Sequence, residues 1–164
     1  MADEASDLKL DIPELDPKTR NIIMEVIPPY GSALNPVDVT AQVINKAEDF
    51  MKVLQAIVAY PQIHALVLVI TQITGEQGRQ MAEDIVKISK LTQKPITVAW
   101  TTGDRLVADN LKILSEGGIQ YYKSPVRAVK AMGALMNYSV FRKKVLSRAK
   151  IDLEKSIAGK SPGC

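Results

Sequence analysis

The chain has little of what most catalytic and metal sites are made from. Among its 164 residues there is one cysteine, Cys164, and one histidine, His64. A single cysteine excludes a disulfide framework within one chain and fits a reducing compartment, so a cytoplasmic location is expected. Cys164 ends the chain and no CxxC pair exists, so a redox role is not expected either. One histidine and one cysteine leave metal ligation to carboxylates. No Asp/Glu cluster has calcium-loop spacing, and no metal site is expected. Charge of one sign is also scarce, with 21 Lys and Arg against 18 Asp and Glu. A nucleic-acid binder should show a dominant basic surface, so nucleic acid is not an expected partner. The longest apolar run, Ala65 to Ile70, is far short of the roughly 20 residues of a membrane helix. The opening Met-Ala-Asp-Glu-Ala-Ser-Asp is acidic and polar, unlike a secretory leader. No P-loop or dinucleotide glycine fingerprint is present; Gly75-Glu76-Gln77-Gly78 is too short for one.

What is present is a globular mix, 46% hydrophobic and 24% charged, in the length of one domain. Leu8 to Ile12 alternates and predicts a short edge strand. Asp16-Pro17 predicts a helix start, with Asp as N-cap and Pro at the first helical position. Ile22, Ile23, Val26 and Ile27 give that helix an apolar face, and Pro28-Pro29 stops it. Val37 to Val39 reads as a short strand. Phe50, Val53, Leu54, Ile57 and Val58 follow helical spacing within a helix expected over 46–60. Ala65 to Ile70 is continuous and branched, which predicts a central parallel strand buried on both faces. A helix over 76–91 is expected to bury Met81, Ile85, Ile88 and Leu91. Ile96 to Trp100 is the next buried strand.

Asp104 is the expected N-cap of a helix over 105–115 that buries Leu106, Leu111 and Leu114 or their near neighbours. Gly117-Gly118 ends it. Ile119 to Tyr122 predicts a short strand. Ser124-Pro125 then starts a helix that reaches Tyr138 and can run on to about Ser156. From Arg142 to Lys160 there are seven Lys or Arg against Asp152 and Glu154. Residues 146–164 are therefore read as a basic tail to a domain of 1–145: a solvated helix end whose cations suit the helix dipole, then a disordered Gly159 to Gly163. Strands alternating with helices predict right-handed βαβ units and an α/β domain with a mainly parallel sheet of about four to five strands.

In such sheets ligands gather outside the carboxyl ends of the strands. The loops there are Thr40, Thr71-Gln72, Thr101-Thr102-Gly103 and Lys123-Ser124. Their hydroxyls and helix-start amides can hold a phosphate, and they equally suit caps and turns. His64 enters a strand from the opposite end and reads as a loop residue. Lys123-Ser124-Pro125 resembles the lysine–proline turn of phosphorelay receivers, but Thr71 stands where those place an aspartate. No catalytic residue is expected.

Taken in order, a string of motifs resembles the last flavodoxin-like domain of NDP-forming acyl-CoA synthetases, relatives of succinyl-CoA synthetase. The string is Pro13-Glu14-Leu15-Asp16-Pro17, Pro28-Pro29-Tyr30-Gly31, Asn35-Pro36-Val37-Asp38-Val39-Thr40, Lys94-Pro95 with the strand that follows, and Gly118-Ile119-Gln120-Tyr121-Tyr122-Lys123-Ser124-Pro125. The resemblance covers about residues 8–145. It implies a flavodoxin-like three-layer fold. It also implies part of an acid–thiol ligase such as an acetate–CoA ligase, which uses CoA, ADP or ATP and magnesium, with CoA-binding and ATP-grasp subunits as partners or a homodimer. The family's phosphohistidine loop has no counterpart here, and neither do the first strand and glycine-rich helix of the domain. The chain alone is therefore expected to bind no cofactor directly and to be inactive. Two other readings stay open: a standalone binding or scaffold module, and an independent enzyme holding a nucleotide or CoA at the strand ends.

Overall fold

A computed structural model describes residues 1–40 and 47–158. Lys46, the expected start of one helix, lies outside the described residues, as does the Gly159–Gly163 segment expected to be disordered.

Among the described residues three parallel strands form the sheet, in the order β1 (Leu66–Ile70), β2 (Ile96–Trp100), β3 (Gln120–Tyr122). β1 and β2 run in full register from Leu66 opposite Ile96 to Ile70 opposite Trp100. Neighbouring residues of a parallel pair point to the same face. Leu66, Leu68 and Ile70 therefore share a face with Ile96, Val98 and Trp100. That face carries the main core. The helices α2 (Pro17–Met24), α3 (Ala47–Ala59), α4 (Gly75–Ser89) and α5 (Asp104–Glu116) contribute Ile23, Phe50, Leu54, Ile85, Val107 and Leu114 to it. On the other face lies α6 (Pro125–Ala158), which packs on all three strands and burying Ala128, Val129 and Met132 beside the small Ala99. A short α1 (Ala2–Asp7) rests on α6. The result is the parallel α/β sheet the alternation predicts, in the three-layer arrangement the family resemblance implies, with the sheet between helices.

Two helix ends show how local chemistry fixes these elements. Asp16 caps α2 as its side chain accepts from the Thr19 N–H at 2.6 Å, with Pro17 at the first position. That backbone bond holds the Asp16 carboxyl below its usual pKa. At the far end of α3, Lys94 donates to the carbonyls of Val58 at 2.6 Å and Tyr60 at 2.7 Å. It supplies the cation and the donors that the end of that helix lacks, and burial lowers its pKa.

Several expectations are corrected. Leu8 to Ile12 is no strand. The Leu8, Lys9 and Leu10 amides turn back to Glu4, Ser6 and Ala5, closing α1, and Lys9 takes a left-handed φ of 55°. Leu8 and Leu10 instead pack beside Gly133 of α6. Val37 to Val39 stays outside the sheet. Asp38 exchanges both backbone hydrogen bonds with Ser32 in one isolated antiparallel bridge, and Thr40 leaves the extended region at φ 57°. The strand at 66–70 is not central: β1 pairs only with β2 among the described residues, and Val69 is 42% exposed. Leu91 is exposed: it lies beyond the end of α4, which closes at Ser89 with Lys90 as its C-cap. Leu106 is also exposed, and its neighbour Val107 takes the buried position. The last helix, by contrast, runs on past Tyr138 as expected, to Ala158.

Candidate functional site

The carboxyl ends of β1 and β2 finish side by side, which brings two hydroxyl loops together. The Thr101 N–H donates to the Ile70 carbonyl at 2.9 Å, so the register of the strands extends one residue into the loops. The Thr101 hydroxyl lies 3.2 Å from that of Thr71 and 3.4 Å from the Ile70 carbonyl oxygen. Beyond Thr71, Gln72 takes a left-handed φ of 59° and turns the chain toward α4. The buried Trp100 ring anchors this turn, its Nε1–H donating to the Ile73 carbonyl at 3.2 Å.

The loop after β2 runs straight into α5. Gly103 is the N-cap of α5, and no side chain there accepts a capping hydrogen bond. Asp104 is thus the first residue of the helix rather than its cap. Its carboxylate pairs with Lys123, which follows β3. Thr102 places its Oγ1 out of solvent with no hydrogen-bond partner among the described residues. Around these groups lies an open, shallow cleft of about 390 Å³, lined by Thr101, Thr102, Gly103, Asp104, Arg105, Leu106 and Lys123.

Of the residues singled out in the sequence, Thr101, Thr102 and Gly103 line this cleft. Thr71 reaches it through its hydroxyl contact with Thr101, and Gln72 is the next residue. Thr40 does not line it; its N–H is held by the Asp38 carboxylate at 2.9 Å. His64 is exposed at the amino end of β1, away from the cleft. Sequence reading missed Arg105 and Leu106, and it missed the pairing of Asp104 with Lys123. No local signal marks that pair, because Asp104 opens α5 and Lys123 follows β3, and only the adjacency of β2 and β3 brings them together. The residue with the clearest burial effect, Asp84 on α4, lies elsewhere. Desolvation raises its carboxyl pKa, opposed by the Gln80 amide that donates to it at 3.2 Å.

The arrangement can present hydroxyls, the free amides of a helix start and the Arg105 cation to an anion, with Lys123 already paired to Asp104. It holds no nucleophile–base pair. Among the described residues no group of three or more His, Cys, Asp or Glu could hold a metal. No helix among them is long and apolar enough to cross a membrane.

Fold and cleft together define a flavodoxin-like α/β domain with hydroxyls, helix-start amides and charged side chains at the carboxyl ends of its strands. The chain belongs to the Ligase-CoA domain family, whose model matches residues 1–145. It is 30% identical over 120 residues to the alpha subunit of the ADP-forming acetate–CoA ligase I of Pyrococcus furiosus, covering 72% of this chain and 25% of that one. It is 31% identical over 121 residues to the ADP-forming 4-hydroxybutyrate–CoA ligase of Nitrosopumilus maritimus, covering 73% of this chain and 17% of that protein. Among solved structures it is similar to the dinucleotide-forming acetyl-coenzyme A synthetase 1 of Ca. Korarchaeum cryptofilum. The TM-score is 0.75 at 26% identity, over 89% of this chain and 32% of that one. The same enzyme, in complex with phosphate and ADP, matches equally well. The chain therefore spans about a quarter or less of the curated relatives described here, and about a third of the structural one.

Proposed function

We propose that this chain is a docking domain of an ADP-forming acyl-CoA synthetase, which completes the ligase and offers the cleft at residues 101–103 to a phosphate group. The observation that carries the reading is the free outer edge of β1. A strand of five apolar residues, Leu-Val-Leu-Val-Ile, would ordinarily be paired on both sides, and it has one partner among the described residues. An edge of this kind accepts a strand from another chain. The companions on this reading are the CoA-binding and ATP-grasp parts of the ligase.

The cleft fits part of the ligand chemistry that the relatives' names imply. Thr101, Thr102, the amides beyond Gly103 and the cation of Arg105 suit a phosphoryl group, with Thr71 and Gln72 beside them and Thr40 on a separate loop. An adenine ring or a pantetheine arm would need an apolar slot, and Leu106 is the one large apolar side chain of the lining. Asp104 is the one carboxylate there and is committed to Lys123, so this donor set does not fit magnesium. The covalent chemistry of the ligase then belongs to the companion parts. The test is reconstitution: mix the chain with the CoA-binding and ATP-grasp parts of the ligase and measure complex mass and acyl-CoA formation. The chain alone should show no turnover, and the mixture should show both. A stable homodimer that ignores the companions would support the standalone-module reading instead.

A further inference from the structure

Helix α6 is 34 residues long, about 51 Å at helical rise. Up to residue 151, Met132 and Gly133 are its last buried residues, and every residue from 140 to 151 is exposed. The exposed half still carries an apolar stripe. Tyr138, Phe141 and Val145 follow at spacings of three and four, and Leu135 and Leu146 flank them on the same side. All five are large and exposed, Phe141 at 62%, while Val140 and Ile151 are exposed on the opposite side of the helix. A lone helix of this composition is marginal in water, because most helical stability comes from packing an apolar face.

The charges along the same stretch identify what covers that face. Between Tyr138 and Ile151 there are Arg142, Lys143, Lys144, Arg148 and Lys150, and no Asp or Glu. A second copy laid along the stripe would bring two such sets of cations together. A helix lying on a membrane keeps its cations on the polar side. Arg142 does the opposite: Tyr138 and Leu146 stand four residues before and after it, so it sits in the apolar row itself. A cation centred on an apolar stripe suits a groove with a carboxylate at its middle.

We infer that residues 135–151 of α6 dock into an acidic, apolar-lined groove on a companion chain of the ligase, with Arg142 as the charged anchor. The inference rests on the proposed role as a ligase docking domain and adds where a second contact lies, away from the edge of β1.

The experiment uses the full chain, as wild type and as Arg142→Glu, Phe141→Asp and Lys144→Glu, titrated against the companion CoA-binding and ATP-grasp parts of the ligase. The first two substitutions should each weaken binding by about tenfold or more, as loss of a central charged or aromatic contact does. Lys144→Glu makes the same charge change off the stripe and should weaken it far less. All variants should melt with the wild type, since none of these side chains is buried in the core. Equal binding by wild type and Arg142→Glu overturns this inference and leaves the docking role standing. Equal losses from Arg142→Glu and Lys144→Glu overturn the anchor in favour of general attraction. Failure of the wild type to bind removes the docking role as well. Sedimentation showing a dimer that Phe141→Asp dissolves would assign the stripe to a second copy. Binding to vesicles of 30% phosphatidylglycerol in phosphatidylcholine that Arg142→Glu abolishes, with companion affinity unchanged, would assign it to a lipid surface. Either result overturns the inference.

Discussion

Thr102 separates two uses of the same side chain. A hydroxyl at a helix start is most often a cap, yet α5 has no side-chain cap and Thr102 Oγ1 has no partner among the described residues. Thr102→Val keeps the shape and removes the hydroxyl. It should leave the melting temperature in buffer unchanged or slightly higher, because no hydrogen bond to a described residue is lost. On the proposed reading inorganic phosphate or ADP should stabilise the wild type by a few degrees near saturation, and the variant should lose that shift. A thermal-shift titration reads both, and an equal shift in the variant counts against a phosphate at this hydroxyl. Asp84 tests burial. Its carboxyl pKa is raised, so the folded state binds more protons than the unfolded state between pH 4 or so and that raised value. Its contribution to stability is therefore lost as pH rises through this window. Asp84→Asn should melt higher than wild type at pH 7, and the gap should close as the pH falls toward 4. A constant gap across that range would mean that the carboxylate is not the cause.

At the scale of elements, close approach of helices sets the tightest constraints. A side chain at Gly78 of α4 would place its Cβ 2.3 Å from Nδ2 of the buried Asn110 on α5 and 3.3 Å from the Trp100 ring. Gly78→Ala should therefore push α4 from α5 and cost about 1–3 kcal/mol, measured by urea unfolding, as overpacking does. A neutral result would show that Asn110 can swing aside. Which elements the sequence makes legible follows from where their signals lie. β2 was readable to the residue, because Pro95 and the Thr-Thr-Gly turn bracket a branched apolar run. α2 was readable from Asp16-Pro17, a purely local cap. α1 was not, since six residues without an apolar stripe carry no period. The apolarity of β1 announced neighbours on both sides, but nothing in a strand's own residues says whether its own chain supplies them. Thr101 and Thr71 were legible as hydroxyl loops. The Asp104–Lys123 pair was not, because it spans 19 residues and depends on adjacent strand ends.

For the whole molecule, the proposed function gives the β1 edge, the cleft and α6 one common use, contact with the rest of a ligase. Family membership explains the core and the order of its elements. On the proposed reading, the edge of β1 that has no partner among the described residues is where a companion docks, and its backbone offers a direct test. The Leu66 N–H donates to Pro95 beside β2, so by strand alternation the amides of Val67 and Val69 point to the unpaired side. Hydrogen exchange resolved to single amides should find Val67 and Val69 fast in the isolated chain while Leu68 and Ile70 are protected. Adding the companion parts of the ligase should slow exchange at Val67 and Val69. If both amides exchange as fast in the mixture as alone, or are already protected without a partner, no companion strand completes this sheet and the docking account is contradicted.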